Sequence, residues 1–175
     1  LLEMGFYLER WQEIEEFEDE AKMLGKYIHD NLWDEKTGFL YDQYADGTLC
    51  KTKGIGAYWA LFTNVLDTIQ LNRMIKELDN PETFNRKFRV PSLSADHPKY
   101  KENGRYWQGG IWPGTNYMVI QGLVKKGYRK LAREIALNHY NEVLEVYKNT
   151  GTFWEYYSPE KAEPGFMARK EFVGW

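Results

Sequence analysis

PSLSADHPKYKENGRYWQGGIWPGTNYMVIQ, residues 91–121, sets polar turn residues, tryptophans and glycines immediately ahead of a helical pattern. Tyr100, Tyr106, Trp107, Trp112 and Tyr117 stand there beside Asp96, Glu102, Asn103, Gln108 and Asn116. That mixture is too aromatic for a plain linker and too polar for a plain core. It suits a sugar, whose flat C–H faces rest on aromatic rings while its hydroxyls bond amides and carboxylates. Gly109 and Gly110 allow close backbone approach. Pro113 occupies a first-turn position and opens a helix through Lys125, which Gly127 ends. The stretch therefore reads as a ligand-type loop feeding a helix.

Working outward, the next helix covers Tyr128 to Lys148 with Leu131, Ile135, Ala136, Tyr140, Val143 and Tyr147 on one face, and Asn149-Thr150-Gly151 stops it. The remainder, GTFWEYYSPEKAEPGFMARKEFVGW, is aromatic, polar and punctuated by Pro and Gly. Upstream, Gly54–Leu66 and Asp67–Leu78 form a helical pair. Its expected buried stripe is Trp59, Phe62, Val65, Ile69, Met74, Ile75 and Leu78, with Asp67 as N-cap and Asn80-Pro81 as the stop. Before it, LWDEKTGFLYDQYADGTL (residues 32–49) trades the helical period for aromatic and polar alternation around Thr37-Gly38 and Asp46-Gly47, the mark of a turn or short irregular hairpin. The chain opens with Leu1–Trp11, apolar on nearly every side and read as the tail of a buried helix. An amphipathic helix over Glu13–Asn31 follows, with Ile14, Phe17, Ala21, Leu24 and Ile28 inward. Helix pair and long aromatic loop thus alternate three times. Loops of this length are usually functional, and hairpins stacked about an axis bring all three to one side. The expected fold is all-α, an α/α toroid, here an incomplete half built of helical hairpins, with residues 1–175 as a single domain.

Composition narrows the function. The 175 residues are 43% hydrophobic, in the single-domain range and long enough for a sizeable core. No apolar run approaches the roughly 20 residues that a bilayer requires, so a soluble protein without a membrane partner is expected, cytoplasmic or periplasmic. Acidic residues number 26 against 23 basic ones, without the dense Lys/Arg cluster of a nucleic-acid footprint. Cys50 is the single cysteine and excludes an internal disulfide. Aromatics reach 17% of the chain, which fits both a carbohydrate site and a helical protein that packs large side chains.

YWQGGIWPGTNYMVIQGL (residues 106–123) resembles the YW-x-G-x-I-W-P-x-x-NY-x-x-x-x-GL segment of glycoside hydrolases built on an (α/α)6 barrel, the family 63 and family 37 types, which include processing-α-glucosidase-like, mannosylglycerate-hydrolase-like and trehalase-like enzymes. LWDEKTGFLYD (residues 32–42) is similar to the family's LWDEETGFYYD turn, residues 54–60 to its glycine-then-tryptophan helix entry, and GTFWEYYSPE (residues 151–160) to its g-x-x-x-E-N-Y-x-P segment. Four motifs in the family's order cover essentially the whole chain and correspond to the C-terminal part of a catalytic domain. The resemblance implies an inverting hydrolase cleaving an α-linked glucosyl or mannosyl saccharide, with no cofactor and no metal. It puts Glu155 at the general-base position and Tyr106, Trp107, Gln108 and Trp112 on the loop that lines the sugar subsite. Asn116, Trp154 and Trp175 complete the expected substrate contacts. The general acid is an Asp that lies, in the family, ahead of the position of Leu1. The missing N-terminal half of the barrel, or self-association, is the expected partner of the bare hairpin faces.

Alternatives accompany each residue. Glu155 is otherwise a surface carboxylate beside aromatics that cover helix ends. Trp107 and Trp112 either pack in the core or form two walls of a subsite, and Asn116 either bonds a sugar or ties the preceding loop. Asp34, Glu35, Asp42 and Asp46 lack the spacing of a calcium loop and read as turn chemistry. Asp96, His97 and Glu102 match no metal set and read as loop bracing. His29 and His139 read as structural histidines. A non-catalytic carbohydrate-binding toroid is the second functional class. Epimerase or isomerase chemistry, for which His97 is the only candidate base, is the third.

Overall fold

The computed structural model of the chain describes residues 2–174; Leu1 and Trp175, the latter an expected sugar contact, lie outside them. Five α-helices carry the architecture: α1 (Leu2–Tyr7), α2 (Trp11–Tyr27), α3 (Thr68–Leu78), α4 (Pro113–Lys125) and α5 (Arg129–Thr150). A π-helical turn, Ile28–Leu32, continues α2. The aromatic stretch after it forms two small antiparallel ladders rather than a helix. In the first, β1 (Trp33–Asp34) faces β2 (Phe39–Leu40); in the second, β3 (Asp42–Gln43) faces β4 (Leu49–Cys50). Both turns use carboxylates as expected. Asp34 Oδ2 accepts from Thr37 Oγ1 at 2.6 Å, and Asp46 Oδ1 accepts from the Thr48 amide at 2.9 Å.

Residues 55–62 form a 3-10 helix, Ile55–Phe62, where an α-helix through Leu66 was expected. The buried set Ile55, Tyr58 and Leu61 recurs every third residue, the period of one 3-10 face. The expected stripe had that spacing but the wrong phase, so Trp59 is 51% exposed. Asp67 caps α3 through a capping box with Gln70, its Oδ1 accepting from the Gln70 amide at 2.8 Å. Met74 and Leu78 are buried on α3 as expected, whereas Ile69 points outward because Gln70 takes the inward position next to the cap. On α5 Ile135 is buried as expected, with Leu131 and Val143 packed against the core clusters; Ala132 and Val146 take the other buried positions, and Tyr140 and Tyr147 are exposed.

The main core joins Phe39, Tyr41, Tyr58, Leu61, Met74, Leu78, Phe84, Val119, Leu123 and Ile135. Phe39 and Phe84 stack at 6.1 Å, with Tyr58 edge-on to both. Helix α4 approaches the 3-10 helix closely because Gly122 has no side chain; a Cβ there would stand 2.7 Å from Leu61 Cβ. A second cluster, Phe88, Ile111, Val146 and Tyr157, lies where the loops ahead of α4 and after α5 meet. Helices α1 and α2 depart from expectation: α2 has no buried residue, and Met4, Phe6, Leu8 and Trp11 are all exposed, because no other element among the described residues covers them.

Candidate active site: three loops and an aromatic platform

The loops entering the 3-10 helix, preceding α4 and following α5 are tied side by side through their backbones. The Ile55 amide donates to Ser92 O at 3.1 Å, and the Ser92 amide to Gly110 O at 3.0 Å. Ile111 and Tyr157 then exchange two hydrogen bonds at 2.9 and 3.0 Å, so the segment carrying Trp112 runs antiparallel to the segment carrying Glu155. Beyond them the Gly165 amide donates to Tyr156 O at 3.0 Å. Three of the four motif segments, residues 54–60, 106–123 and 151–160, are thus joined through this row.

On this row stands a column of stacked rings. Trp107 lies over Trp112 at 4.4 Å between centroids and 15° between planes, and Trp112 over Tyr156 at 4.5 Å and 25°. Tyr106 meets the edge of the Trp112 ring at 5.1 Å and 81°. The separation of 4.4 Å leaves no room for a sugar between the two tryptophans, so they do not form opposite walls. They form one platform instead. Trp112 is only 3% exposed and supports it, while Trp107 at 48% and Tyr106 at 54% offer its outer surface. The Tyr156 hydroxyl donates to Phe166 O at 2.8 Å and fixes the base of the column. Glu155, half-buried, is the residue next to Tyr156, and its amide donates to Arg169 O at 3.0 Å. One peptide therefore joins the candidate general base to the aromatic platform.

Backbone geometry builds this loop. Gly109 has φ +116°, and a Cβ on it would meet the Tyr100 ring at 2.7 Å, so only glycine fits. Tyr106 holds φ 51°, an unusual conformation for a bulky residue and one that clusters at ligand clamps. Gln108 is half-buried; its amide donates to Arg105 O at 2.9 Å and its carbonyl accepts from the Lys101 amide at 2.8 Å.

Two expected sugar contacts tie loops together, Asn116 from the core and Trp154 from a half-buried position. Asn116 is fully buried, and its Nδ2 donates to Arg89 O at 3.0 Å, which is the loop-tying alternative and places its amide away from solvent. Trp154 packs against the second core cluster and donates from Nε1 to Thr150 Oγ1 at 3.0 Å, pinning the Glu155 loop to the end of α5. Asp96 braces loops as expected, accepting from Ser94 Oγ at 2.6 Å and from Lys53 Nζ at 3.1 Å, and His97 Nδ1 accepts from the Lys99 amide at 3.1 Å within its turn. Among the described residues, no group of three or more His, Cys, Asp or Glu is placed to hold a metal ion.

At the other end of the row, Tyr41, Asp42, Thr52, Gly54, Gly56 and Trp59 line a cleft of about 400 Å³; Glu155 is not among its lining residues. Sequence reasoning missed this cleft by burying Trp59. The glycines flanking Ile55 in Gly54-Ile55-Gly56 were the available signal for an open helix entry.

Comparison with known proteins supplies the frame. Residues 1–171 match the model of the mannosylglycerate hydrolase MGH1-like glycoside hydrolase domain. The chain is 26% identical to a probable mannosyl-oligosaccharide glucosidase of Schizosaccharomyces pombe across 90% of its own length and 22% of the relative's. It is 26% identical to the mannosylglycerate hydrolase of Rubrobacter radiotolerans across 82% of its length and 32% of the relative's. It thus spans at most a third of these relatives. In structure it is similar to a mannosylglycerate hydrolase of Thermus thermophilus in complex with Tris (TM-score 0.64, 23% identity, 77% of this chain and 31% of that one). It is also similar to the neutral trehalase of Saccharomyces cerevisiae (TM-score 0.72, 15% identity, 85% and 28%). These neighbours are (α/α)6 toroids, so the helical pairs are part of an all-α toroid as expected. With 171 of 175 residues matched, the chain belongs to the MGH1-like family of glycoside hydrolase domains.

Proposed function

We propose that this chain is the base-bearing part of an inverting glycoside hydrolase that cleaves an α-linked glucosyl or mannosyl saccharide, with Glu155 as general base. The observation that carries the proposal is the join between Glu155 and the platform: Tyr156 ends the ring column that Trp107 opens to solvent, and Tyr157 pairs with Ile111. Family membership supplies the reaction class. Trp107 and Tyr106 offer exposed ring faces on which a sugar can rest a C–H face, and the loop that closes the column carries Glu155.

Inversion needs one ionised carboxylate to take a proton from water and one protonated carboxyl to give a proton to the leaving oxygen, about 6.5–9.5 Å apart. Glu155 takes the first role. As water attacks the anomeric carbon from the face opposite the leaving group, its proton passes to Glu155 and the glycosidic C–O bond breaks. The acid is an Asp on a segment that precedes, in the family, the position of Leu1. The rest of the barrel covers the exposed faces of α1 and α2. Gln108 and Trp175 belong to the proposed sugar contacts, and Asn116, Trp112 and Trp154 act by holding the loops.

Glu155→Gln in the full-length protein keeps shape and removes the base. The expected result is a fall in kcat of about 100- to 10,000-fold with little change in KM, the range that general-base catalysis contributes. Unchanged hydrolysis rejects Glu155 as the base. Saccharide binding with no turnover by the wild-type protein favours a binding-only toroid.

A further inference from the structure

A second carboxylate follows Glu155 in the same loop and has no part in the chemistry above. Glu160 is largely buried, with 19% of its side chain exposed, and one oxygen serves two donors. Tyr100 OH donates to Oε1 at 2.7 Å, and Arg86 Nε donates to the same atom at 2.7 Å. Arg86 is anchored in turn through Nη1 to Pro81 O. Around this cluster the Phe88 amide donates to Pro159 O at 2.8 Å, and Ser158 Oγ donates to Glu102 O at 2.9 Å. A buried charge pair brings little net stability relative to apolar packing, so its placement calls for a specific explanation.

Tyr100 provides one. Its ring lies against the Gly109 backbone, inside the loop that carries Trp107 and Trp112, close enough that a single added methyl on Gly109 would collide with it. Its hydroxyl ends on the loop that carries Glu155. The residue therefore spans the two halves of the candidate site, with its ring on the platform loop and its oxygen on the base loop. Burial first, and the Glu160 hydrogen bond second, push its phenol far above the usual range, so it stays a neutral donor at any working pH.

We propose that Tyr100 and Glu160 are positioning residues that clamp the Glu155 loop to the platform loop and so set where the base stands relative to a sugar on Trp107. The proposal rests on Glu155 being the base, and its test separates the two. Tyr100→Phe leaves the ring on Gly109 and removes only the hydroxyl. In the full-length protein, assayed on mannosylglycerate and on an α-glucosyl fluoride, it is expected to lower kcat about 10- to 100-fold, the range that a displacement of under 1 Å produces, with KM within about twofold. Glu160→Gln, which keeps an acceptor for the hydroxyl, is expected to cost less.

The deciding measurement repeats Tyr100→Phe in a Glu155→Ala background supplied with azide. Azide attacks the anomeric carbon directly; its C–N bond forms as the glycosidic C–O bond breaks, and no proton has to be removed by a base. A residue that acts through Glu155 then has nothing left to position, so Tyr100→Phe is expected to leave azide-dependent turnover unchanged. An equal loss in both backgrounds overturns the clamp as a positioning device. Amide hydrogen exchange provides a readout that needs no turnover: Tyr100→Phe is expected to speed exchange at residues 106–112 and 153–160 together while α5 is unaffected. Unchanged exchange at both loops overturns the clamp itself. Wild-type turnover by Glu155→Ala overturns the base assignment, and the exchange result then decides the clamp alone.

Discussion

His139 lies 5.1 Å from Phe88, ring centroid to ring centroid, and its Nδ1 meets Asn116 Nδ2 at 3.2 Å. Burial pulls its pKa down from the usual 6.5 to about 4. Between those values the unfolded chain binds a proton that the folded chain refuses, so stability falls as pH drops below about 6.5 and the loss is complete below about 4. The full effect is on the order of 3 kcal/mol. Thermal unfolding of the full-length protein in pH steps is expected to show that slope, and His139→Gln to flatten it; an unchanged slope in the variant contradicts the assignment. At this scale the sequence was readable where chemistry is local. Asp67 as a cap and Asp46 in a turn each follow from a bond within three residues, and Pro113 at a helix start from its own fixed φ and missing N–H. Trp112, Asn116 and Trp154 were not readable, because a buried ring and a solvent-facing ring have the same local neighbours. The Tyr100–Glu160 pair left no trace, since its partners are far apart along the chain.

Among the elements, helices α3, α4 and α5 lie close to their expected bounds, and Gly151, with φ 74°, ends α5 as its position suggested. The 3-10 helix shows the limit of reading periodicity. Three-residue spacing fits Ile55, Tyr58 and Leu61 and also Trp59, Phe62 and Val65, and only tertiary packing selects the first set. Helices α1 and α2 show a different limit. Phe6, Trp11 and Leu24 were expected to be buried, yet they stand in solvent together with Met23, with no other described element covering them. An apolar face of that kind is rare on a soluble monomer. The 175-residue polypeptide alone is therefore expected to self-associate in sedimentation at micromolar concentrations, with Met23→Glu and Leu24→Glu together shifting it toward monomer. A monodisperse monomer across the concentration range contradicts this.

Across the whole molecule, backbone bonds join the entry of the 3-10 helix to the loops ahead of α4 and after α5, two of the three long loops expected on one side of the stacked helical pairs. Ile55 with Ser92, and Ile111 with Tyr157, bridge segments that the chain separates by entire helices, and the Ser92–Gly110 bond links the two within one loop. The alternation of helical pairs and loops carried that arrangement in outline; no local spacing specifies the Ile111–Tyr157 pairing. The central claim is that water activated at Glu155 displaces the leaving group from the opposite face of the sugar. Proton NMR of the first minutes of turnover by the full-length protein on mannosylglycerate or an α-glucoside tests it most directly. The β-anomer of the free sugar is expected to appear first and then to mutarotate. Accumulation of the α-anomer first would contradict inversion, and with it the role assigned to Glu155.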